Sequence, residues 1–149
     1  MNCTFGKAEK KDSNRINELF IEMLQTIYHT DQVNGYSDGD LDRFFDDRDE
    51  WISIAIAEDR IIAFLSIEVP HEEEEYIYLD DLSVTKQYRN HGIGTQLIRN
   101  AESYAKDISI PAICLHVEKS NTAAFRLYER LGYEIYEDQG NRYLMIKNI

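Results

Sequence analysis

Two glycines separated by one residue, Gly92 and Gly94, lie just before a helical pattern of apolar residues. Glycine lets the backbone approach a ligand closely and adopt conformations that other residues avoid. The first turn of a helix that begins near Ile93 leaves N–H groups unpaired, and the helix dipole adds positive potential there. A strand, a glycine turn and a helix N-terminus together can hold a pyrophosphate. We therefore predict a phosphate loop from Arg89 to Thr95, with Lys86 as a further cationic contact.

This loop differs from two common phosphate-binding motifs. It lacks the Gly-Lys-Ser/Thr ending of a P-loop, and Leu97 occupies the third glycine position of the dinucleotide fingerprint. The spacing alone also fits an ordinary connection between a strand and a helix that needs small residues. Both interpretations stay open at this level.

The elements that must position the loop follow from the spacing of apolar residues. We predict strands at 4–8, 51–57, 60–69, 76–84, 112–117, 134–137 and 143–146, of which 51–57 alternates with period two and 112–117 is a short buried strand. Helical spacing predicts a helix capped by Asp12 or Ser13, a second helix that Ser37 or Asp38 caps and that runs through Phe45, a third from Ile93 and a fourth at 122–131. Strands alternate with helices only in the second half. This order favours an α+β or mixed α/β sheet in a single domain, residues 1–149, and not a uniform Rossmann fold.

Composition excludes several classes of function. The 149 residues carry a net charge of −12 and are 43% hydrophobic, which argues against disorder and against nucleic-acid binding. No apolar run approaches 18 residues and no signal-peptide pattern is present, so neither a membrane nor export is expected. Cys3 and Cys114 lie far apart without metal-ligand spacing. We therefore expect reduced thiols in a cytoplasmic protein without a metal site.

Charge is distributed unevenly along the chain. Residues 31–81 contain 17 acidic and three basic residues, including the run Glu72 to Glu75, whereas residues 82–132 contain four acidic and seven basic residues. The first block is expected to attract amines, and the second tolerates an anionic cofactor. The alternative for the acidic loops is that they only keep the protein soluble.

Two motifs together resemble the GNAT family of N-acetyltransferases. Residues 84–97, VTKQYRNHGIGTQL, resemble the acetyl-CoA motif of that family, and residues 121–133, NTAAFRLYERLGY, resemble its second motif. The motifs occur in the family order, and the resemblance extends over residues 76–133. It implies the GNAT fold, in which a central, mostly antiparallel, twisted sheet splays between its fourth and fifth strands and helices flank it. The N-terminal half, which sets acceptor specificity in the family, matches only in its order of elements.

The resemblance implies a set of cofactor-binding positions. In the family, the strand before the loop bonds the pantetheine arm of acetyl-CoA through its backbone, like a missing strand partner. The loop amides hold the pyrophosphate, and the Asn that opens the second motif contacts the cofactor, although it also reads as a helix N-cap. The matching residues here are Leu82, Ser83, Val84, Arg89, Asn90, His91, Gly92, Ile93, Gly94, Thr95 and Asn121.

Catalytic residues are implied in the same way. Tyr128 matches the tyrosine that protonates the leaving thiolate, although such a residue also packs on a helix face. An ammonium acceptor must lose a proton before it attacks, and Asp80, then His116, then Asp81 are the candidate bases. If the strand is regular, Asp80 shares a face with Tyr78, Leu82 and Val84, whereas Asp81 lies on the opposite face. A bulge, frequent in this strand of the family, would change which aspartate faces the cleft.

The sequence therefore predicts an enzyme that transfers the acetyl group from acetyl-CoA to a primary amine in a ternary complex. The acidic half favours a cationic acceptor, such as a polyamine, an aminoglycoside-like amine or a lysine. Two alternatives stay open: a protein N-terminus or lysine, as in the ribosomal-protein acetyltransferases, and a non-catalytic acyl-CoA-binding module. Members of the family are often homodimers, although no interface signature is readable in this sequence.

Overall fold

A twisted sheet with helices on both faces forms the centre of the protein, as a computed structural model describes it for residues 2–46, 49–70 and 75–149. The strands are β1 (Thr4–Lys7), β2 (Trp51–Ala57), β3 (Arg60–Glu68), β4 (Ile77–Val84), β5 (Ala112–Glu118), β6 (Glu134–Asp138) and β7 (Arg142–Asn148). The helices are α1 (Ser13–Tyr28), α2 (Arg43–Asp46), α3 (Ile93–Asp107) and α4 (Thr122–Arg130), and short 3₁₀ turns lie at Lys10–Asp12 and Lys86–Tyr88.

The strand order is β1-β2-β3-β4-β5-β7-β6, and only β4 and β5 pair in parallel among the described strands. The mixed α/β sheet expected from the sequence is confirmed. The first four strands are antiparallel neighbours in chain order, and α3 supplies the crossover that the parallel neighbour β5 requires.

Each face of the sheet has its own apolar cluster. On one face, Leu97 and Ile98 of α3 are fully buried against residues of β3, β4 and β5. On the other face, Ile16 and Leu19 of α1 and Phe44 of α2 pack against β2 and β3. Because the sheet is covered on both faces, its central strands read as nearly continuous apolar runs.

Two local expectations differ from the structure. The second helix is a single turn, Arg43–Asp46, and the residues from Asp38 to Asp42 form turns, one of which is closed by Asp40 N–H on Ser37 O at 3.1 Å. The Asp12 carboxylate caps the short 3₁₀ turn by accepting from Glu9 N–H at 2.8 Å, so it does not cap α1 with its side chain. Side chains of this type satisfy nearby backbone groups in turns as readily as in helices, which explains both differences.

The acidic run between β3 and β4 falls largely on residues 71–74, so Glu72, Glu73 and Glu74 lie outside the described residues. Within the described ranges, none of the helices combines the length and the apolar character needed to cross a membrane.

A bulge and a loss of pairing meet in the middle of β4. Leu65 pairs with Leu82 and Ile67 pairs with Leu79, so one residue of β3 faces two residues of β4, Asp80 and Asp81. On its other side, β4 pairs with β5 only as far as Leu79 and Leu115. Beyond that point the two strands separate, as the splayed sheet implied by the resemblance requires.

Because of the bulge, the side chains of β4 lie on different faces of the sheet from those expected of a regular strand. Leu82 and Val84 pack on the α3 side, together with Ile77 and Leu79. Ser83 instead donates to Leu19 O of α1, and Asp81 accepts from the Tyr36 hydroxyl on that same α1 side. The extra residue reverses the alternation, because each bulge shifts the following side chains by one position. Asp80 and Asp81 therefore share the α1 face of the sheet, whereas a regular strand would separate them.

Leu97 joins α3 to the sheet, and its removal is expected to destabilise the protein. We expect Leu97→Ala to lower the free energy of unfolding by about 2–5 kcal/mol, because a fully buried side chain is lost and a cavity remains. Urea denaturation followed by circular dichroism measures this change. Gln96→Ala, on the exposed side of the same helix, is the matched control and should cost no more than about 0.5 kcal/mol. Equal effects of the two variants would contradict the assigned core.

Candidate active site

The separation of β4 and β5 opens a cleft of about 910 Å³. The N-terminus of α3 lies at one end, the C-terminal part of α1 lies over the α1 side, and α4 forms the opposite wall. Residues from both sequence motifs therefore line one continuous space. Among the expected site residues, the cleft is lined by Asp80, Asp81, Leu82, Ser83, Val84, Arg89, Asn90, Gly92, Ile93, Gly94, Thr95, His116, Asn121 and Tyr128.

The first turn of α3 offers free backbone donors to this cleft. Gly92 has a φ of 78° at the N-cap, a left-handed conformation that favours glycine. The first helical bond that closes on it runs from Gln96 N–H to Gly92 O, and no side chain caps the helix. The N–H groups of Ile93, Gly94 and Thr95 are thus left for an anion. This geometry fits the pyrophosphate that the sequence predicts there.

Gly94 brings the start of α3 close to the cleft walls. A Cβ at this position would lie 3.8–3.9 Å from side-chain atoms of Leu82, Val84 and Leu127. The phosphate loop, the end of β4 and the middle of α4 therefore meet around one glycine.

The backbone of β4 beyond the bulge is paired on one side only. Leu82, Ser83 and Val84 pair with Leu65, Phe64 and Ala63 of β3, and their edge toward β5 has no strand partner in the described structure. An extended amide-containing chain can take the place of the missing strand. The expected pantetheine contacts thus fit an observed gap in the sheet.

Arg89 is already held by protein groups. Its guanidinium donates to Val84 O at 2.8 Å and to the Glu22 carboxylate of α1 at 3.1 Å. Glu22 also accepts from the Thr85 hydroxyl at 2.8 Å. These bonds fasten the phosphate loop to α1, so Arg89 shapes the loop. A direct phosphate contact by Arg89 stays a prediction, and His91 is exposed and does not line the cleft.

Asn121 caps α4, as its alternative interpretation suggested. Its side-chain oxygen accepts from Ala124 N–H at 3.3 Å while the residue also lines the cleft. Its two expected roles are therefore compatible in one position.

Tyr128 lies on the cleft wall formed by α4, and its ring packs edge-on against Tyr133 at 6.1 Å between ring centres. Its hydroxyl makes no hydrogen bond with any residue in the described part of the chain. Burial, with the negative charge of Asp81, raises the pKa of Tyr128 to about 12. A free thiol has a pKa near 8.5, so the phenol keeps its proton at every working pH and is available as a donor.

The two aspartates of the bulge differ in their surroundings. The Tyr36 hydroxyl donates to Asp81 at 2.5 Å, whereas Asp80 hydrogen-bonds the side chain of Glu68. Loss of hydration raises the pKa of both aspartates, and burial with the neighbouring Asp80 raises the pKa of Glu68 to about 7. Arg43 of α2 binds Glu68 at 2.9 Å and partly offsets this effect. The α1 side of the cleft is therefore acidic but already internally hydrogen-bonded.

His116 forms a hydrogen-bonded chain across the splayed strands. Its Nδ1 lies 2.6 Å from the Tyr78 hydroxyl, and its Nε2 lies 2.9 Å from Oε1 of Gln139. Burial and the nearby Arg142 lower the pKa of His116 below its ordinary value. The imidazole is neutral at physiological pH, and a neutral imidazole is able to accept a proton.

Sequence reasoning missed several of these partners. Tyr36 is the one aromatic residue in the loop at 29–42, and its contact with Asp81 depends on how that loop crosses α1. Gly35 allows this crossing, because a Cβ there would lie 2.3 Å from the Asn17 side chain. Tyr78 had a local signal, since it lies two residues before Asp80 in a strand. Glu68 and Gln139 had none, because their contacts depend on strand pairing.

Unpaired strand backbone beside a helix N-terminus, with tyrosine and histidine in the same cleft, is the arrangement expected of an acyl-CoA-dependent transferase. A model of the acetyltransferase (GNAT) family matches residues 21–133. The chain therefore belongs to the GNAT family, whose enzymes use acetyl-CoA as cosubstrate. The family and the fold implied by the two motifs are confirmed.

Several relatives have similar sequences. N-alpha-acetyltransferase 50 of Danio rerio is 30% identical over 100 residues, which are 66% of this chain and 60% of that protein. The catalytic subunit of the N-terminal acetyltransferase A complex of Arabidopsis thaliana is 33% identical over 107 residues, or 63% of this chain and 56% of that subunit. An uncharacterised N-acetyltransferase of Methanocaldococcus jannaschii is 29% identical over 149 residues, or 95% of this chain and 88% of that one. The matched part of this chain thus covers less than two thirds of the length of each of the first two relatives.

Solved structures support the fold across the whole chain. PaiA N-acetyltransferase from Thermoplasma acidophilum, in complex with coenzyme A, has a TM-score of 0.84 at 20% identity and full coverage of both chains. NAA60 of Arabidopsis thaliana, in complex with a bisubstrate analogue, has a TM-score of 0.82 at 19% identity and 99% coverage of both chains.

The phosphate loop can be tested through coenzyme binding. We expect Gly92→Glu to weaken coenzyme A binding at least ten-fold in isothermal titration calorimetry, because a carboxylate would enter the loop that we predict to hold the pyrophosphate. Gly39→Glu is the matched control, since Gly39 also has a positive φ of 85° but lies outside the cleft. It should bind coenzyme A like the wild type. Equal binding by both variants would place the pyrophosphate elsewhere.

Proposed function

We propose that this protein transfers the acetyl group of acetyl-CoA to the primary amine of a cationic acceptor by direct attack in a ternary complex. The observation that carries the proposal is the cleft between β4 and β5. It places unpaired strand backbone, the N-terminus of α3 and three candidate proton-transfer groups, Tyr78, His116 and Tyr128, around one space. Acetyl-CoA supplies the activated thioester, and every other part of the reaction falls to residues of this chain.

The first step is removal of one proton from the acceptor ammonium. Tyr78 and His116 are the groups arranged for it, because the tyrosine hydroxyl already lies 2.6 Å from the imidazole. The ammonium proton moves to the Tyr78 oxygen while the hydroxyl proton moves to His116 Nδ1, which leaves a neutral amine and an imidazolium. This order of candidate bases differs from the sequence expectation, which placed Asp80 first. Both aspartates already have hydrogen-bond partners within the protein, because Asp80 hydrogen-bonds the Glu68 side chain and Asp81 accepts from the Tyr36 hydroxyl.

The second step forms the amide bond and breaks the bond to sulfur. Backbone N–H groups of β4 beyond the bulge polarise the acetyl carbonyl, in the manner of an oxyanion hole. Tyr128 on α4 donates its hydroxyl proton to the departing thiolate. The amine nitrogen then releases its second proton, which returns the Tyr128 oxygen to its protonated form. Its raised pKa makes Tyr128 a donor that is always loaded, although a weak acid.

The acidic half of the chain supports a cationic acceptor. Asp80 and Asp81 line the cleft on the α1 side, and Glu68 lies next to Asp80. A negative entrance raises the local concentration of ammonium substrates and speeds their arrival.

A protein N-terminus is the second candidate acceptor. It is favoured by the relatives from Danio rerio and Arabidopsis thaliana, which are N-terminal acetyltransferases by name. Another neighbour is the ribosomal-protein-S18-alanine N-acetyltransferase of Escherichia coli, with a TM-score of 0.76 at 17% identity and coverage of 99% of this chain and 94% of that one.

An acceptor screen tests the proposal. The purified chain is incubated with acetyl-CoA and a panel of polyamines, aminoglycosides, lysine peptides and peptides with free N-termini, and products are detected by mass spectrometry. We expect acetylated product from at least one cationic amine, with a kcat/KM that falls as salt screens the acidic entrance. Coenzyme binding without any acetylated product would instead favour a non-catalytic acyl-CoA-binding module.

The role of Tyr128 can be tested by removal of one oxygen atom. We expect Tyr128→Phe to lower kcat by about 10- to 100-fold, a typical effect for a general acid, with little change in coenzyme affinity. Tyr136→Phe is the matched control, because Tyr136 is 68% exposed on the edge strand β6. A Tyr128→Phe enzyme with an unchanged rate at every pH would remove Tyr128 from the mechanism.

A further inference from the structure

We propose that Gln139, in the turn between β6 and β7, is a positioning residue that fixes the tautomer of His116, so that the imidazole presents an unprotonated Nδ1 to Tyr78. The inference rests on the proposed function, because it assigns the direction of proton transfer in that same site. Gln139 does not line the cleft, and it acts only through His116.

The orientation of the Gln139 amide is set by Glu137. Gln139 Nε2 donates to Glu137 Oε1 at 2.9 Å, and a carboxylate accepts hydrogen bonds but does not donate them. The amide nitrogen must therefore face Glu137. The amide oxygen is then the atom that faces His116 Nε2, at 2.9 Å.

The amide orientation in turn sets the histidine. An amide oxygen only accepts, so the hydrogen between the two residues belongs to His116 Nε2. A neutral imidazole carries one N–H, which leaves Nδ1 with its lone pair. The Tyr78 hydroxyl, 2.6 Å away, is therefore the donor to Nδ1. Four side chains thus form a hydrogen-bonded chain in which each donates to the next, in the order Tyr78, His116, Gln139 and Glu137. Each hydrogen bond polarises its neighbour.

The turn that carries Gln139 is held firmly against β5. Gln139 N–H donates to Arg142 O at 2.9 Å, and Lys119 N–H at the end of β5 donates to Asn141 O at 2.9 Å. Lys119 also binds Asp138 at 2.6 Å. The amide of Gln139 is thus placed by the backbone of two strands, which suits a residue that orients another side chain.

Charged groups from four strands face this chain. Arg142 of β7 disfavours an imidazolium and Glu137 of β6 favours it, while Asp80 of β4 and Glu68 of β3 act on Tyr78. Loss of hydration is the largest effect, and the pKa of His116 is lowered in total. The neutral form that the hydrogen bonds require is therefore the form present near neutral pH. It changes to imidazolium only below the ordinary histidine pKa of about 6.5.

Nitrogen NMR of the 149-residue chain with labelled histidines reads the tautomer directly, and His116→Gln assigns the signals. We expect the wild-type protein to carry the His116 proton on Nε2. Gln139→Leu should mix the two tautomers and lower kcat about ten-fold without a change in the KM for acetyl-CoA. A merely structural role for Gln139 would leave the tautomer unchanged.

A charge-conserving exchange gives the second test. Glu137→Gln combined with Gln139→Glu keeps both hydrogen bonds but moves the carboxylate next to His116 Nε2. We expect the pKa of His116 to rise by about one unit, and the apparent pKa of the acidic limb of the kcat/KM profile to rise by the same amount. Asn141→Asp adds a carboxylate to the same turn without a bond to His116, and it should change both quantities much less.

Two results would overturn the inference: a wild-type His116 with its proton on Nδ1, or a Gln139→Leu protein with an unchanged tautomer. Because NMR needs no turnover, the tautomer is decided even if the acceptor screen yields no product. Failure of the proposed function is thereby distinguished from failure of this inference.

Discussion

The candidate site depends on one feature of the sheet, which is that β4 and β5 stop pairing through their backbones partway along their length. Their pairing ends at Leu79 and Leu115, and the following residues of β4 keep only the ladder to β3. Backbone groups left without partners are costly unless water or a ligand satisfies them. The strand stays extended because Leu82 and Val84 pack against the α3 side and Ser83 bonds to α1. Packing on both faces thus preserves an open edge, and that edge is what an extended ligand can use.

The bulge at Asp80 and Asp81 adds a second consequence to the same strand. It turns both carboxylates to the α1 face while it returns Leu82 and Val84 to the α3 face. The carboxylates and the apolar side chains of β4 are thereby placed on opposite faces of the sheet within five residues, Asp80 to Val84. Without the extra residue, one carboxylate would point into the cluster around Leu97. Burial of an unpaired carboxylate there would be strongly unfavourable.

The sequence predicted what local patterns determine and missed what depends on strand pairing. The glycine loop at Gly92, the start of α3 and the cap at Asn121 are local features, and the structure places them as expected. The faces of Asp80 and Asp81 were not predictable from alternation, because a bulge is defined by two strands together. Gln139 reaches His116 only because β7 folds back along β5, a contact between residues 23 positions apart that leaves no periodic signal.

Two tyrosines of one cleft are suited to opposite tasks by their neighbours. Burial raises the pKa of both Tyr78 and Tyr128, so both hydroxyls are protonated at physiological pH. Tyr78 has an acceptor, His116 Nδ1, at 2.6 Å, so it can pass a proton on as it receives one. Tyr128 has no such acceptor among the described residues, so its proton is available to a group that enters the cleft. In the proposed mechanism, the direction of proton transfer therefore follows from the hydrogen-bond partners, because the two phenols share the same ordinary pKa.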